Sequence, residues 1–164
     1  MGIVFRFGMK TSFRIVLVFL LGIVSAHAFA LMNPVAGYWK TMDDKTGAAR
    51  SIVNIREVNG ELQGKITHII LQSGEKETDV CKNCSGDLHN QPIKGLTILS
   101  GMKKDGDAWT GGRILDPTNG KIYHCKMMLS PDGKTLFVRG YMGLPLIGRT
   151  QNWIRANSPK GSIQ

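Results

Sequence analysis

The sequence predicts an all-β protein: an eight-stranded antiparallel meander barrel, preceded by a cleavable signal peptide. Three observations carry this reading. After residue 30 no stretch sustains a 3.6-residue apolar period, so helix is absent or minor. Turn-forming clusters recur at short, fairly even intervals between residues 31 and 155. Between them lie short runs in which apolar and polar residues alternate, the pattern of a half-buried strand. Strands in that number, joined mostly by tight turns, close on themselves and so remove their edges.

The 164-residue chain opens with Arg6, Lys10 and Arg14 and has no acid among its first thirty residues. The run from Ile15 to Val24 is a ten-residue apolar core. A helix needs about 20 apolar residues to span a bilayer, so this core is too short for an anchor. Ala26-His27-Ala28 and Ala28-Phe29-Ala30 follow in the small-x-small pattern of a cleavage site. Residues 1–30 are therefore assigned as a signal peptide, 31–155 as the barrel domain and 156–164 as a flexible tail. Five of the six Phe lie within the signal, so the aromatic core rests on three Trp, three Tyr and Phe137. Beyond residue 30, eighteen cations face twelve anions, a net charge of +6. The cations are spread along the chain and the protein is expected to be exported, so nucleic acid is not an expected partner. The charge reads first as solubility, with an anionic partner such as lipid or polysaccharide as the alternative.

The candidate strands, in order, are 37–41, 50–58, 61–71, 96–101, 108–115, 121–129, 135–141 and 150–155. Asn59-Gly60 is the best two-residue hairpin signal. Asp105-Gly106-Asp107, Asp116-Pro117-Thr118-Asn119-Gly120 and Ser130-Pro131-Asp132-Gly133 supply three more turns. In 121–129 one face carries Tyr123, Cys125, Met127 and Leu129; in 61–71 one face carries Leu62, Gly64, Ile66, His68 and Ile70. In 135–141 Leu136 and Val138 oppose Phe137 and Tyr141. Two connections break the regular spacing. Residues 72–95 form a long polar loop, and Gly143 to Gly148 (GLPLIG) is unexpectedly apolar. Leu144, Pro145, Leu146 and Ile147 read as an exposed tip, serving as a ligand portal or docking surface, or else as a segment folded back to plug the barrel.

Cys81-Lys82-Asn83-Cys84 reads first as a disulfide in an oxidising compartment. A labile redox pair and a metal site are the alternatives. The first lacks a βαβ setting to lower a thiol pKa, and the second lacks a second pair of ligands. Cys125, on an apolar strand face, reads as a small buried residue. No G-x-S-x-G, H-E-x-x-H or G-x-G-x-x-G occurs, and Gly133-Lys134-Thr135 lacks the earlier glycine of a phosphate loop, because that position is Met128. No enzyme constellation, cofactor or metal is expected.

Gly37-Tyr38-Trp39 opens the first strand, and Trp153-Ile154-Arg155 closes the last. The pairing resembles the lipocalin-type barrels, in which a Trp plugs the closed end and a cation of the last strand stacks on it. A broader resemblance runs through Gly37-Tyr38-Trp39-Lys40-Thr41, Cys81-x-x-Cys84 and Asn90-x-Pro92-Ile93-x-Gly95. It continues through Trp109-x-Gly111-Gly112-x-Ile114-x-Asp116-Pro117, Gly120-Lys121-x-Tyr123, Arg139-Gly140-Tyr141 and Gly148-Arg149-Thr150-Gln151-x-Trp153. This combination resembles the secreted bacterial family called domain of unknown function 2147. The resemblance implies a lipocalin-like barrel in the periplasm or outside a Gram-negative cell, with a small, largely apolar ligand in its interior. On that reading Tyr123 and Met127 line the interior, Leu144, Leu146 and Ile147 form the portal, and Trp39 with Arg155 is structural. Two other roles are an envelope interaction protein, whose filled barrel docks on a protein or membrane surface through 143–148, and a redox helper using Cys81 and Cys84.

Overall fold

Asn59 and Gly60 both adopt positive φ, 53° and 78°, the conformation of a primed two-residue turn whose twist matches that of the flanking strands. Two-residue connections, at 59–60 and 106–107, join two of the consecutive strand pairs in the computed structural model, which describes residues 33–74 and 80–159 together with Gly2. The expected signal peptide lies, apart from Gly2, outside the described residues, as do residues 160–164 of the expected tail. The strands are β1 (Gly37–Met42), β2 (Ala49–Val58), β3 (Glu61–Ile69), β4 (Thr97–Asp105), β5 (Ala108–Asp116), β6 (Lys121–Leu129), β7 (Thr135–Tyr141) and β8 (Gly148–Ala156). Each pairs antiparallel with the next, and β8 returns to β1, so the sheet is a closed barrel in sequence order.

The register sorts side chains into an inner and an outer set, because directly paired residues share a face. Trp39 faces Val53, Ile55 faces Gly64, Leu62 faces Met102, Trp109 faces Met127, and Leu136 faces Trp153. All of these residues are buried and form one apolar core.

Two strand readings are corrected. The strand expected at 61–71 ends at Ile69, and a bulge between the partners of Ile52 and Val53 leaves Thr67 unpaired. Beyond the bulge the alternation reverses. Ile69, opposite Ser51, packs on the core, while His68 sits opposite Ile52 on the outer face, and Ile70 is not the inward residue. The strand expected at 96–101 runs instead from Thr97 to Asp105, because Lys103 and Lys104 continue it with their charges exposed.

Connections distinguish the two ends. The turns after β2, β4 and β6 lie at one end, where the chain also enters at Asn33 and leaves at Ala156. The connections after β1, β3, β5 and β7, among them the long one from residue 70 to residue 96, lie at the other.

Candidate functional site

The first end is sealed. Val35 is buried, and its carbonyl accepts the indole N–H of Trp39 at 2.8 Å. The Arg155 guanidinium lies 4.2 Å from the centre of the Trp39 ring. Its nitrogens donate to the carbonyls of Gly133 (2.6 Å), Ala36 (3.4 Å) and Pro34 (2.6 Å), fastening the entering strap of residues 33–36 across the base. Above this clamp the interior is filled. Trp39, Trp153 and Trp109 are 0%, 1% and 2% exposed, and Met127, Met102 and Leu136 are fully enclosed among them.

The second end differs. Toward it the inward positions are Thr41 and Ser51 on β1 and β2, Ile69 on β3, and Ile114 and Tyr123 on β5 and β6. Gly140 and Gln151 complete the ring on β7 and β8. Apart from buried Thr41 these are only half-buried, and between this ring and the tryptophan layer two small residues, Gly112 and Cys125, face each other. The mouth is thus less enclosed than the base, a cup outlined by these half-buried residues. Its wall is polar on one side, where the Thr41 and Ser51 hydroxyls meet at 2.8 Å. On the same side Gln151 accepts from the Trp153 indole (3.2 Å) and reaches toward the Met42 carbonyl (3.5 Å). The opposite wall is the apolar pair Ile114 and Tyr123, with the Tyr123 hydroxyl held at the rim by the Asn119 side-chain amide at 3.1 Å.

Tyr123 thus belongs to the cup, whereas Met127 lies two inward positions deeper, in the filled layer. Alternation along β6 placed both on one face but carried no information about depth. Ser51, Gly140 and Gln151 were not singled out in the sequence, because their place on the inward face toward this end emerges only from the register between strands.

The long connection from residue 70 to residue 96 does not roof the cup with its described residues. Register puts Ile98 and Leu115 on the outer wall, yet both are buried, as are Cys81, Cys84 and Leu96 of the connection. The connection therefore lies against the outside of β4 and β5. Cys81 and Cys84 form a disulfide, and both are buried. Asn83 donates to the Thr118 carbonyl at 2.7 Å, and the Cys81 sulfur lies 3.5 Å from the Pro117 carbonyl oxygen, tying this loop to the β5–β6 turn. Cys125 is a buried free thiol whose pKa burial pushes up to about 12. On the outer wall a groove of about 190 Å³ is lined by Arg113, Ile122, Tyr123 and His124. At the rim, Leu144, Leu146 and Ile147 are exposed. Among the described residues no group of three or more His, Cys, Asp or Glu side chains converges as a metal site would require.

A closed eight-stranded meander, plugged at one end by a tryptophan beneath a guanidinium and cupped at the other, is a lipocalin-like barrel. The solved structure of the Helicobacter pylori protein HP1028, described as belonging to the lipocalin family, superimposes with a TM-score of 0.63 at 22% identity. The match covers 74% of this chain and 82% of that one, and it shows the fold. No curated protein matches the chain. Residues 37–155 match the model of the family described as uncharacterized protein conserved in bacteria (DUF2147), and the chain belongs to that family.

Proposed function

We propose that the protein is an exported, non-enzymatic binder that takes a small, largely apolar ligand into the open half of its barrel. The observation that carries this is the change of filling along the axis. Three indoles occupy the base, whereas near the mouth Ser51, Ile69, Ile114, Tyr123, Gly140 and Gln151 are left half-buried. An eight-stranded barrel is just wide enough either to be filled by its own side chains or to hold one small guest. On this reading the base follows the first course and the cup the second.

The walls define the guest. Ile114 and the Tyr123 ring offer an apolar face, Ser51 and Gln151 offer a hydroxyl and an amide, and Arg149, paired with Gly140 on the same face, stands at the rim in an ion pair with Asp44. This arrangement suits a small amphiphile carrying one uncharged polar group, with Met127 in the layer beneath it and the 144–147 tip beside the entry. Export to the periplasm or beyond is supported by the Cys81–Cys84 disulfide, a bond of oxidising compartments, and by membership of a bacterial family.

Titration with the uncharged fluorophore N-phenyl-1-naphthylamine tests the reading. Gly140 stands 3.6 Å, measured from an added Cβ, from both Ile114 and Tyr123, so the side chain of Gly140→Ile projects into the cup. Binding by the unaltered chain, weakened about tenfold or more in Gly140→Ile, is the expected result, since the guest's apolar contacts are lost. Equal binding by Gly140→Ile would remove the cup as the site.

A further inference from the structure

The β7–β8 connection is the most apolar exposed surface among the described residues. Met142, Leu144, Leu146 and Ile147 are 62%, 66%, 89% and 73% exposed, and Pro145 is exposed between them. Contiguous apolar surface of this kind marks a contact site. The tip is also built to hold its shape. The Arg139 guanidinium donates to the carbonyls of Pro145 (2.7 Å) and Leu146 (3.0 Å) and to the Thr150 hydroxyl (2.9 Å). The Ile147 amide donates to the Leu144 carbonyl at 3.0 Å. The tip thus satisfies part of its backbone internally and turns its side chains outward, as a loop entering a medium without water requires.

The surface behind the tip is layered. Cross-strand register places Arg113, His124 and Tyr141 in one row on the outer wall of β5, β6 and β7, with the His124 and Tyr141 rings stacked at 5.6 Å. Lys126 stands in the next row, two residues further along the strands, which is about 7 Å, and Arg139 is paired with it there, its guanidinium turned forward to the tip. Carboxylates in the adjoining turns are already engaged. Asp43 accepts the amides of Lys45 and Thr46, Asp44 pairs with Arg149 at 2.8 Å, and Asp116 accepts from Thr118 and Asn119. An apolar tip, an aromatic row and a cationic row follow one another over the depth at which interfacial segments seat themselves, about 5–10 Å below the headgroups.

We propose that the 142–147 tip docks the barrel, mouth first, onto a lipid surface bearing anionic headgroups. The apolar side chains enter the acyl boundary, and Arg113 and Lys126 lie at the headgroup phosphates. The groove of about 190 Å³ between Arg113 and His124 gives one headgroup a seat. Docking in this pose puts the cup against the lipid, but it stands whether or not the cup holds a guest. The attachment proposed is peripheral and rests on the tip.

The experiment uses the full chain with Leu146→Cys, labelled at that position with an environment-sensitive dye; Cys125 is buried and Cys81 is bonded to Cys84, so neither competes. Vesicles of phosphatidylcholine mixed with phosphatidylglycerol should shift the dye emission to the blue and shield it from aqueous iodide. Vesicles of phosphatidylcholine alone should do so far less. Lys126→Gln in the same background should weaken partitioning about fivefold, the worth of one cation at an anionic surface. A dye that stays quenchable beside anionic vesicles overturns the proposal, as does equal shielding by both vesicle types. Shielding that appears without lipid and rises with protein concentration also overturns it, and assigns the tip to a second copy of the chain.

Discussion

Arg155 uses its whole guanidinium at the base of the barrel, lying over Trp39 and donating to three carbonyls from two other segments. Removing the ring with Trp39→Ala should cost about 3–5 kcal/mol of stability, as for other buried aromatics. Arg155→Ala loses about 0.5–2 kcal/mol of stacking, and about 1 kcal/mol more for each carbonyl left without a donor. Arg155→Lys should recover only the stacking, because an ammonium cannot serve three divergent carbonyls. Urea unfolding of the single and double variants checks this, and strictly additive losses would show that the pair is not coupled. Cys125 sets a pH limit. Its folded pKa of about 12 stands above its ordinary value of 9.0 because burial disfavours the thiolate. Below pH 9 the thiol is neutral in both folded and unfolded states, and no stability depends on it. Between pH 9 and 12 only the unfolded chain releases the proton, so stability should fall by roughly 1.4 kcal/mol per pH unit. Cys125→Ala should flatten that slope in unfolding measured across the alkaline range, and an unchanged slope would assign it to other groups.

At the scale of elements, the disulfide loop and the β5–β6 turn fit each other through one glycine. Gly120 has φ of 72°, and a Cβ there would overlap the backbone of Asn83. Gly133, at φ 70°, has open space around it. Gly133→Ala therefore reports the backbone strain alone, about 1 kcal/mol, and Gly120→Ala adds the displaced loop. The expected difference is faster reduction of Cys81–Cys84 by dithiothreitol in Gly120→Ala only; equal rates would mean that the docked loop does not protect the bond. The eight strands were legible in the sequence because turns such as Asn59-Gly60 announce where each ends. The bulge at Thr67 was not, since one unpaired residue leaves no mark on alternation, and His68 was consequently assigned to the wrong face. The docking of the loop on Ile98 and Leu115 was equally hidden, because a strand buried on both faces at one point does not reveal what covers the outer one.

For the whole molecule, the legible parts of the candidate site were those with a local signature. Four apolar residues between Gly143 and Gly148 marked that connection as either an exposed tip or a plug, and alternation put Tyr123 and Met127 on one face. The division into a filled base and a cup depends on the height at which each inward residue sits, and that height belongs to the register of all eight strands together. On the proposed function the division also separates stability from binding. Gly140→Ile, in the cup, should leave the midpoint of thermal unfolding nearly unchanged, whereas Leu136→Ala, among the tryptophans, should cost about 2–5 kcal/mol. Comparable losses from the two would show that the cup is packed core.

The strap clasped by Arg155 also bears on how the barrel forms. Arg155 reaches Ala36 across 119 residues and Pro34 across 121, and the β1–β8 ladder joins the same distant stretches. Every other pairing is a neighbour in sequence and can assemble as the chain lengthens, but this one waits for the last strand. Closure of so long a loop is the kind of non-local contact that slows folding to milliseconds or seconds. Until it happens, two strand edges stand open to pairing with other chains. A nascent chain stopped after Tyr141 should therefore collect in large particles on size exclusion rather than run as a monomer with seven strands in place.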